Sequence, residues 1–203
     1  MSTNERSTTE IETTLFLTVS GPPGCGATTL CERLSEAMGC PYVSGGDIFR
    51  ELADEREMSL NQLTAKADES DEIDRALDQR LQFIAEEWGM ANKPFILESR
   101  LAGWLAGERA DLRIWLDAPE DVRLDRIEDR IETEAEMRVR EVSEAGRYQS
   151  YYDIDIDDRE FYDLHINTAR WSKQAVFELV RTALEEYDPE IDEGAFETPS
   201  VDP

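Results

Sequence analysis

The stretch from Ser20 to Leu34, SGPPGCGATTLCERL, decides the fold class of this 203-residue chain. Gly21, Gly26 and Thr28 have the spacing of the phosphate-binding motif G-x-x-x-x-G-K-[ST], which requires a strand before it and a helix after it. The apolar run Thr14–Gly21 precedes the motif and is rich in strand-forming residues. Apolar residues recur at helical spacing after it: Leu30, Leu34 and Met38. The stretch therefore predicts a strand, a loop that wraps a phosphate group, and a helix.

One position departs from the motif, because Ala27 stands where the lysine belongs. In such loops the lysine reaches the β- and γ-phosphates, while backbone N–H groups and the helix N-terminus hold the anion and the Thr28 hydroxyl binds Mg²⁺. All of these groups except the lysine are present. The predicted donor-phosphate site comprises the loop and the residues that follow it: Gly21, Pro22, Pro23, Gly24, Cys25, Gly26, Ala27, Thr28 and Thr29.

Strand-like and helix-like segments alternate along the rest of the chain. Further strands are predicted at PYVSGGD, PFILES, LRIWLDA and YDLHINT. Helices are predicted between and after them, for example at DEIDRALDQRLQFIAEEWG and SKQAVFELVRTALEEY, where apolar residues follow helical spacing. Alternation of this kind favours an α/β fold with a parallel sheet.

The charge of the chain is extreme: 47 acidic residues face 21 basic ones, which gives a formal net charge of -26. The acidic residues are spread along the whole chain, which is typical of a protein that stays soluble in molar salt, where the Debye length falls to about 3 Å. Such a surface repels DNA, RNA and anionic membranes, so none of these is expected as a partner. No apolar run reaches the roughly 18 residues that a membrane-spanning helix needs.

Both ends of the chain are expected to be disordered. Residues 1–13 lack the pattern of a signal peptide, and residues 188–203 are acidic and contain proline. Three cysteines without a C-x-x-C pair indicate reduced thiols and a cytoplasmic protein, and with one histidine they argue against a zinc site. Cys25 is either a small filler inside the loop or a thiol open to oxidation, and the former reading is favoured.

Four further stretches carry a family resemblance: SGGDIFRELA, LESRLAGW, IWLDAP and YYDIDIDDREFYDLHINT. Together they resemble the archaeal type of cytidylate kinase, within the nucleoside monophosphate kinases, from about Leu15 to Tyr187. The resemblance implies a kinase domain over residues 14–187, with a five-stranded parallel sheet flanked by helices, a helical acceptor-binding part at about 44–90 and a lid at about 126–158. It also implies phosphorylation of CMP or dCMP by ATP with Mg²⁺, and we expect a monomer.

The resemblance also assigns candidate acceptor residues. Phosphoryl transfer brings several negative charges together, so catalysis consists mostly of positioning and charge stabilisation, for which the arginine fork is well suited. Arg50 and Arg100 look like ligands of the acceptor phosphate, although a solvated helix arginine is an equal reading of Arg50. Ser44 and Asp47 flank the acceptor turn and are candidates to meet the ribose or the base.

An oxygen group in the phosphate-loop motif and another at the end of a predicted strand are candidate magnesium ligands, directly or through water. Two are assigned this role: Thr28 and Glu98. Glu98 is equally a capping or lid-tethering carboxylate, and Asp117 at the end of the next strand is a weaker candidate for the same metal.

The charged stretch RLDRIEDRIETEAEMRVREVSEAGR holds six arginines. Most of them are expected to lie on a solvated helix surface. By the resemblance, three are lid arginines that contact phosphate: Arg126, Arg130 and Arg147. A lid arginine that folds over the loop would replace the missing lysine. Two alternatives stay open, namely a nucleotide-binding relative with little or no turnover, and a kinase that acts on another small molecule.

Overall fold

The computed structural model describes residues 10–127, 134–194, 197, 198, 201 and 203, and for residues 134–137, 139 and 140 it describes the backbone alone. Five strands form one sheet: β1 (Phe16–Ser20), β2 (Tyr42–Ser44), β3 (Phe95–Glu98), β4 (Leu112–Asp117) and β5 (Leu164–Asn167). All neighbouring strands are parallel, in the order β2-β3-β1-β4-β5. The predicted fold class is confirmed.

Helices connect the strands at the predicted places. They are α1 (Ala27–Met38), α2 (Gly45–Glu55), α3 (Leu60–Glu69), α4 (Glu72–Ala91), α5 (Ala102–Ala106), α6 (Glu120–Asp125), α7 (Glu134–Tyr152) and α8 (Lys173–Glu186). Two short 3₁₀ turns lie at Gly107–Arg109 and Thr168–Arg170. The sequence does not predict α5, because its five residues are too short to show a helical period.

The sheet is buried between two helical layers, which explains why its central strand reads as a continuous apolar run. On one face Leu17 and Val19 of β1 pack with residues of α1 and α8, such as Leu34 and Val180. On the other face Phe16 belongs to a second cluster with residues of β3, β4, α4, α5 and α7. Helix α7 therefore shares a core with the predicted acceptor-binding part.

Because all strands run in the same direction, their carboxyl ends meet at one edge of the sheet. The last residues of the strands lie there: Ser20, Ser44, Glu98, Asp117 and Asn167. Ligands of open α/β sheets bind at this edge. The phosphate loop and α2 both begin at it, so the topology brings the predicted donor and acceptor residues to one side of the molecule.

The packed structure extends beyond the predicted domain limits. Residues 1–13 are predicted to be a disordered extension, but Ile11 is buried and its N–H donates to the carbonyl oxygen of Ala37 at 2.8 Å. In the predicted tail, the Pro203 carbonyl accepts a hydrogen bond from Gln79 Nε2 at 3.0 Å. Within the described part of the chain, no helix combines the length and the apolar character needed to cross a membrane.

Candidate active site

The loop between β1 and α1 has the backbone of an anion cradle. Gly24 and Gly26 have φ values of 79° and 98°, in the left-handed region that glycine adopts most readily. A Cβ atom on Gly24 would also lie 2.7 Å from the carbonyl oxygen of Arg123. These positions therefore need glycine for the loop to curl, and at Gly24 also for the close approach of α6.

The N-terminus of α1 opens into this loop. Gly26 caps the helix without any side-chain hydrogen bond, and no acidic residue lies in the first turn. The N–H groups of the first turn and their partial positive charge thus suit an anion such as a nucleotide phosphate. Thr28 is exposed beside them, whereas Ala27 is 9% exposed and contributes no charge. The loop therefore offers backbone donors to an anion and lacks the lysine of its motif.

Two arginines, one in α6 and one at its C-cap, hold the outer side of the loop. Arg123 donates from Nη1 to the Pro23 carbonyl at 2.9 Å and also pairs with Glu141 of α7. Arg126, a predicted lid arginine, donates from Nη1 to the Gly24 carbonyl at 3.1 Å. The structure therefore places Arg126 on the phosphate loop. Arg123 was not selected from the sequence, where it looks like any other arginine of a charged helix.

The buried side of the loop is tied to the ends of β4 and β5. The Thr168 hydroxyl lies 2.8 Å from the carbonyl oxygen of Cys25 and 3.1 Å from that of Asp117. Cys25 itself is buried, and burial raises its thiol pKa to about 11. Because the thiolate is the reactive form, this thiol is poorly reactive near neutral pH, in keeping with a small filler side chain.

The predicted acceptor turn lies at the start of α2. The Ser44 hydroxyl accepts a hydrogen bond from the Gly46 N–H at 3.2 Å and so caps the helix. Arg50 and Asp47 are exposed, with 2.5 Å between Nη2 and Oδ1. Asp47 and Arg50 are thus brought together on the solvent side of the turn, whereas Ser44 is buried and occupied as a cap.

Glu98 is the last residue of β3, as predicted, and Arg100 follows it two residues later. In the strand register Glu98 pairs with both Ser44 of β2 and Val19 of β1, so it lies between the acceptor turn and the phosphate loop. Arg100 Nε lies 3.4 Å from Oε2 of Glu144 on α7, and both side chains are less than a fifth exposed. An acceptor phosphate would have to draw Arg100 away from this carboxylate.

The other lid arginine that the structure describes, Arg147, contacts a different part of the molecule. Arg147 donates to Asp74 on α4 and to Asp68 on α3, each at 2.6 Å, and so lies on the acceptor-binding part. Arg130 falls outside the described residues. Of the two predicted lid arginines that the structure describes, Arg126 lies against the phosphate loop and Arg147 does not.

A cavity of about 170 Å³ lies beside the phosphate loop. It is lined by Pro22, Arg100, Trp115, Asp117, Arg123, Glu141, Ile156, Asp157 and Arg159. Ligand pockets for whole small molecules are roughly 300 Å³ or larger, so this space suits a phosphoryl group and not a nucleotide. The predicted donor and acceptor sites meet here, because Pro22 and Arg100 lie on the same cavity.

Arg159 is, with Arg123, an arginine of this cavity that the sequence analysis did not select. Its Nη1 donates to Oδ2 of Asp117 at 2.8 Å, and its guanidinium lies 4.6 Å from the ring centroid of Trp115. The sequence indicates such a role for Arg159 only weakly, because it shows a single arginine after the acidic run DIDIDD. Asp117 is therefore engaged by an arginine, which sets it apart from a free metal-binding carboxylate.

Comparison with known proteins gives consistent results. The family model described as "AAA domain" matches residues 17–149. A protein named cytidylate kinase from Haloquadratum walsbyi is 52% identical over 187 residues, covering 90% of this chain and 95% of that protein. A cytidylate kinase from Pyrococcus furiosus is 42% identical over 186 residues, covering 89% and 94%.

Solved structures resemble this chain in fold. A shikimate kinase from Bacteroides thetaiotaomicron has a TM-score of 0.57 at 15% identity, covering 84% of this chain and 98% of that one. A gluconokinase from Sinorhizobium meliloti has a TM-score of 0.57 at 13% identity, covering 86% and 93%. At this identity the likeness shows the fold alone, a parallel sheet flanked by helices.

Proposed function

The chain belongs to the cytidylate kinase family, and we propose that it transfers the terminal phosphoryl group of ATP to CMP or dCMP. The observation that carries this proposal is the cavity between Pro22 of the phosphate loop and Arg100 at the end of β3. A donor held by the loop and an acceptor held by Arg100 would meet there. The product would be CDP or dCDP.

The donor side of the reaction is assigned to the phosphate loop. Backbone N–H groups of the loop and of the first turn of α1 bind the ATP phosphates, and the helix N-terminus adds partial positive charge. Thr28 and Glu98 would hold Mg²⁺ directly or through water, since hard oxygen ligands suit this ion. When bound, the ion neutralises charge on the β- and γ-phosphates.

The acceptor side is assigned to the residues at the ends of β2 and β3. Arg50 and Arg100 hold the acceptor phosphate, and the arginine fork binds two of its oxygens at once. Holding the acceptor oxygen in line with the γ-phosphate accounts for much of the rate, because positioning dominates phosphoryl transfer. Asp47 is placed to meet the ribose or base, whereas Ser44 contributes by fixing the start of α2.

The lid side is assigned to α6, α7 and the turn after β5. Arg126 bridges the phosphate loop and Thr168, because its Nη1 donates to both the Gly24 carbonyl and the Thr168 hydroxyl. It therefore closes the outer wall of the donor site. Trp171 is exposed immediately after this turn and is a candidate surface for the donor base.

The setting proposed for this enzyme is a cytoplasm of high salt. A net charge of -26 on 203 residues produces strong self-repulsion that molar salt screens. The negative potential of this surface repels nucleic acids and anionic membranes. We therefore propose small nucleotides as the partners, attracted by the arginines of the site. We propose that the enzyme acts as a monomer.

An acceptor panel tests the proposed function. ADP release is measured by a coupled assay in molar KCl with CMP, dCMP, UMP, AMP and GMP in turn. CMP or dCMP should react fastest. AMP as the best acceptor would refute the assigned substrate, and binding of ATP without turnover on any monophosphate would favour the non-catalytic alternative.

A pair of threonine variants ties the measured activity to this site. Thr28→Val should abolish most of the activity, because it removes the hydroxyl assigned to Mg²⁺. Thr182→Val on α8 is the matched control, since its hydroxyl bonds only the helix carbonyl of Glu178 among the described contacts. Equal activity of the two variants would show that the measured turnover does not arise at the phosphate loop.

A further inference from the structure

The phosphate loop lacks a cation at the position where its motif supplies one. Ala27 lies on the first turn of α1 and is buried, so no side-chain charge extends from it over the bound phosphates. Losing one preorganised charge-stabilising donor typically costs about 10²–10³ in rate. If the family reaction proceeds at an ordinary rate, another group must stabilise the transferred phosphoryl group.

Among the residues that the structure describes, two arginines hydrogen-bond to the loop, and both hold its backbone. Arg123 donates to the carbonyl oxygens of Pro23 and Ala118 and pairs with Glu141. Arg126 donates to the carbonyl oxygens of Gly24 and Thr168. Carbonyl oxygens lie on the outer side of a loop whose N–H groups face the anion, so these two side chains brace the loop from behind.

Arg159 lies on the other side, within the cavity where donor and acceptor meet. It shares that space with Pro22 of the loop and with Arg100. The ring beneath its guanidinium belongs to Trp115, which pairs in the strand register with Ser20, the last residue before the loop. Arg159 therefore stands beside the mouth of the loop, at the level where the γ-phosphate would project.

The guanidinium of Arg159 is held in place before any ligand arrives. Asp117 accepts from Nη1 at 2.8 Å, Asp157 accepts from Nη2 at 2.9 Å, and the Trp115 ring supports the flat face. A guanidinium carries five N–H donors, so two such bonds leave donors for a phosphate. Nε is buried without a hydrogen-bond partner among the described residues.

One of the two carboxylate partners can readily yield to a phosphate. Asp157 is 78% exposed, and exposed ion pairs contribute little to stability because water and salt screen them. An incoming phosphate can replace it at Nη2 while Asp117 and Trp115 keep the guanidinium oriented. Arginine is suited to such an exchange because its fork matches phosphate oxygens.

We propose that Arg159 is a catalytic residue that binds the γ-phosphate and supplies the positive charge that Ala27 omits. This assignment rests on the proposed function, since it concerns the phosphoryl group transferred from ATP. It places the replacement cation on the segment after α7, and not among the lid arginines singled out from the sequence.

A four-member variant cycle tests this assignment: wild type, Arg159→Met, Ala27→Lys and the double variant. Methionine removes the charge and keeps an unbranched chain over Trp115, and a lysine at position 27 favours the helix and can extend its stem outward. Each protein is assayed for kcat with CMP and for the dissociation constant of Mg·ATP measured without acceptor.

We expect Arg159→Met to lower kcat by about 10²-fold and to weaken Mg·ATP binding. Ala27→Lys alone should change kcat less than about threefold, because the cation is already supplied. In the Arg159→Met background the same lysine should raise kcat by more than about tenfold. An equal effect of the lysine in both backgrounds, or wild-type kinetics for Arg159→Met, would overturn the assignment.

Controls separate this role from a structural one. Arg181→Met is the matched variant, because Arg181 also pairs with two carboxylates and is 25% exposed against 28% for Arg159. It should leave kcat unchanged.

If Arg159→Met lowers the thermal midpoint, the cycle is repeated with Arg159→Gln. If wild type phosphorylates no monophosphate, the proposed function fails, and the Mg·ATP constants of the same cycle still decide whether Arg159 binds phosphate.

Discussion

Arg147 on α7 donates from Nε to Oδ2 of Asp74 on α4 at 2.6 Å, and this bond joins the two helices. The two side chains are 12% and 6% exposed, so water screens their attraction weakly. Burial raises the pKa of Asp74, the charges of Glu144 and Asp68 add to that shift, and the charge and hydrogen bond of Arg147 oppose it. The pair therefore acts as a structural link between α4 and α7, the helix whose Glu141 lines the cavity.

Removing the cation of this link should destabilise the protein. Arg147→Met leaves Asp74 as a buried carboxylate without its partner, which typically costs about 3–5 kcal/mol of unfolding free energy. The double variant Arg147→Met/Asp74→Asn should recover part of this loss, because no buried charge remains. Denaturant unfolding in molar KCl measures both. A stability of Arg147→Met equal to wild type would show that the pair does not hold the two helices together.

Arg50→Ala and Arg100→Ala should impair use of the acceptor. Each removes a charge-assisted contact to the acceptor phosphate, a loss of about 1.5–3 kcal/mol that corresponds to roughly a tenfold to hundredfold change. We expect a higher KM for CMP, a lower kcat, and an unchanged dissociation constant for Mg·ATP. Arg109→Ala, whose ion pair with Glu86 lies away from the cavity, is the control. Normal kinetics in either variant would remove that arginine from the site.

Asp78 on α4 should make stability depend on pH. Burial, with the charge of Asp74 adding to it, raises its pKa from 3.8 to about 7. Between about pH 4 and pH 7 the folded protein therefore holds a proton that the unfolded chain has released, so this group makes stability fall as pH rises. Asp78→Asn removes the effect.

Unfolding free energies at about pH 5 and about pH 8 measure this contribution of Asp78. The variant should gain stability relative to wild type at the higher pH. A difference between the two proteins that is independent of pH would contradict the assigned titration.

Salt should stabilise the fold strongly. At about 0.01 M salt the Debye length is about 30 Å, so the repulsion among charges that sum to -26 acts across the whole molecule. At 1 M salt the Debye length falls to about 3 Å, and the repulsion is screened. The thermal midpoint should rise steeply with KCl concentration. NaCl at the same ionic strength should have a similar effect if screening is the cause. A midpoint that does not change with salt would refute salt adaptation.

Much of the fold and part of the site were predictable from local sequence. Three local signals lie within about 20 residues of one another: the apolar run of β1, the glycines of the phosphate loop and the helical spacing of α1. Parallel strands in turn place their carboxyl ends at one edge of the sheet. This is why Glu98 was located correctly at the end of β3, with Arg100 two residues after it. The short helix α5 could not be predicted, because its five residues are too few to show a helical period.

The sequence by itself determined the strand–loop–helix unit, the alternation that makes a parallel sheet, and the missing lysine at Ala27, since each depends on neighbours along the chain. Only the tertiary structure decided which arginines serve which part of the site. Arg126 lies against Gly24, 102 positions away, Arg147 lies against Asp74, 73 positions away, and Arg159 lies against Asp117, 42 positions away. In a chain with so many acidic residues, every arginine has several possible partners nearby in sequence. The packing of α6, α7 and the following segment selects among them, because a buried or stacked guanidinium is held by the geometry of the fold and not by its neighbours in sequence.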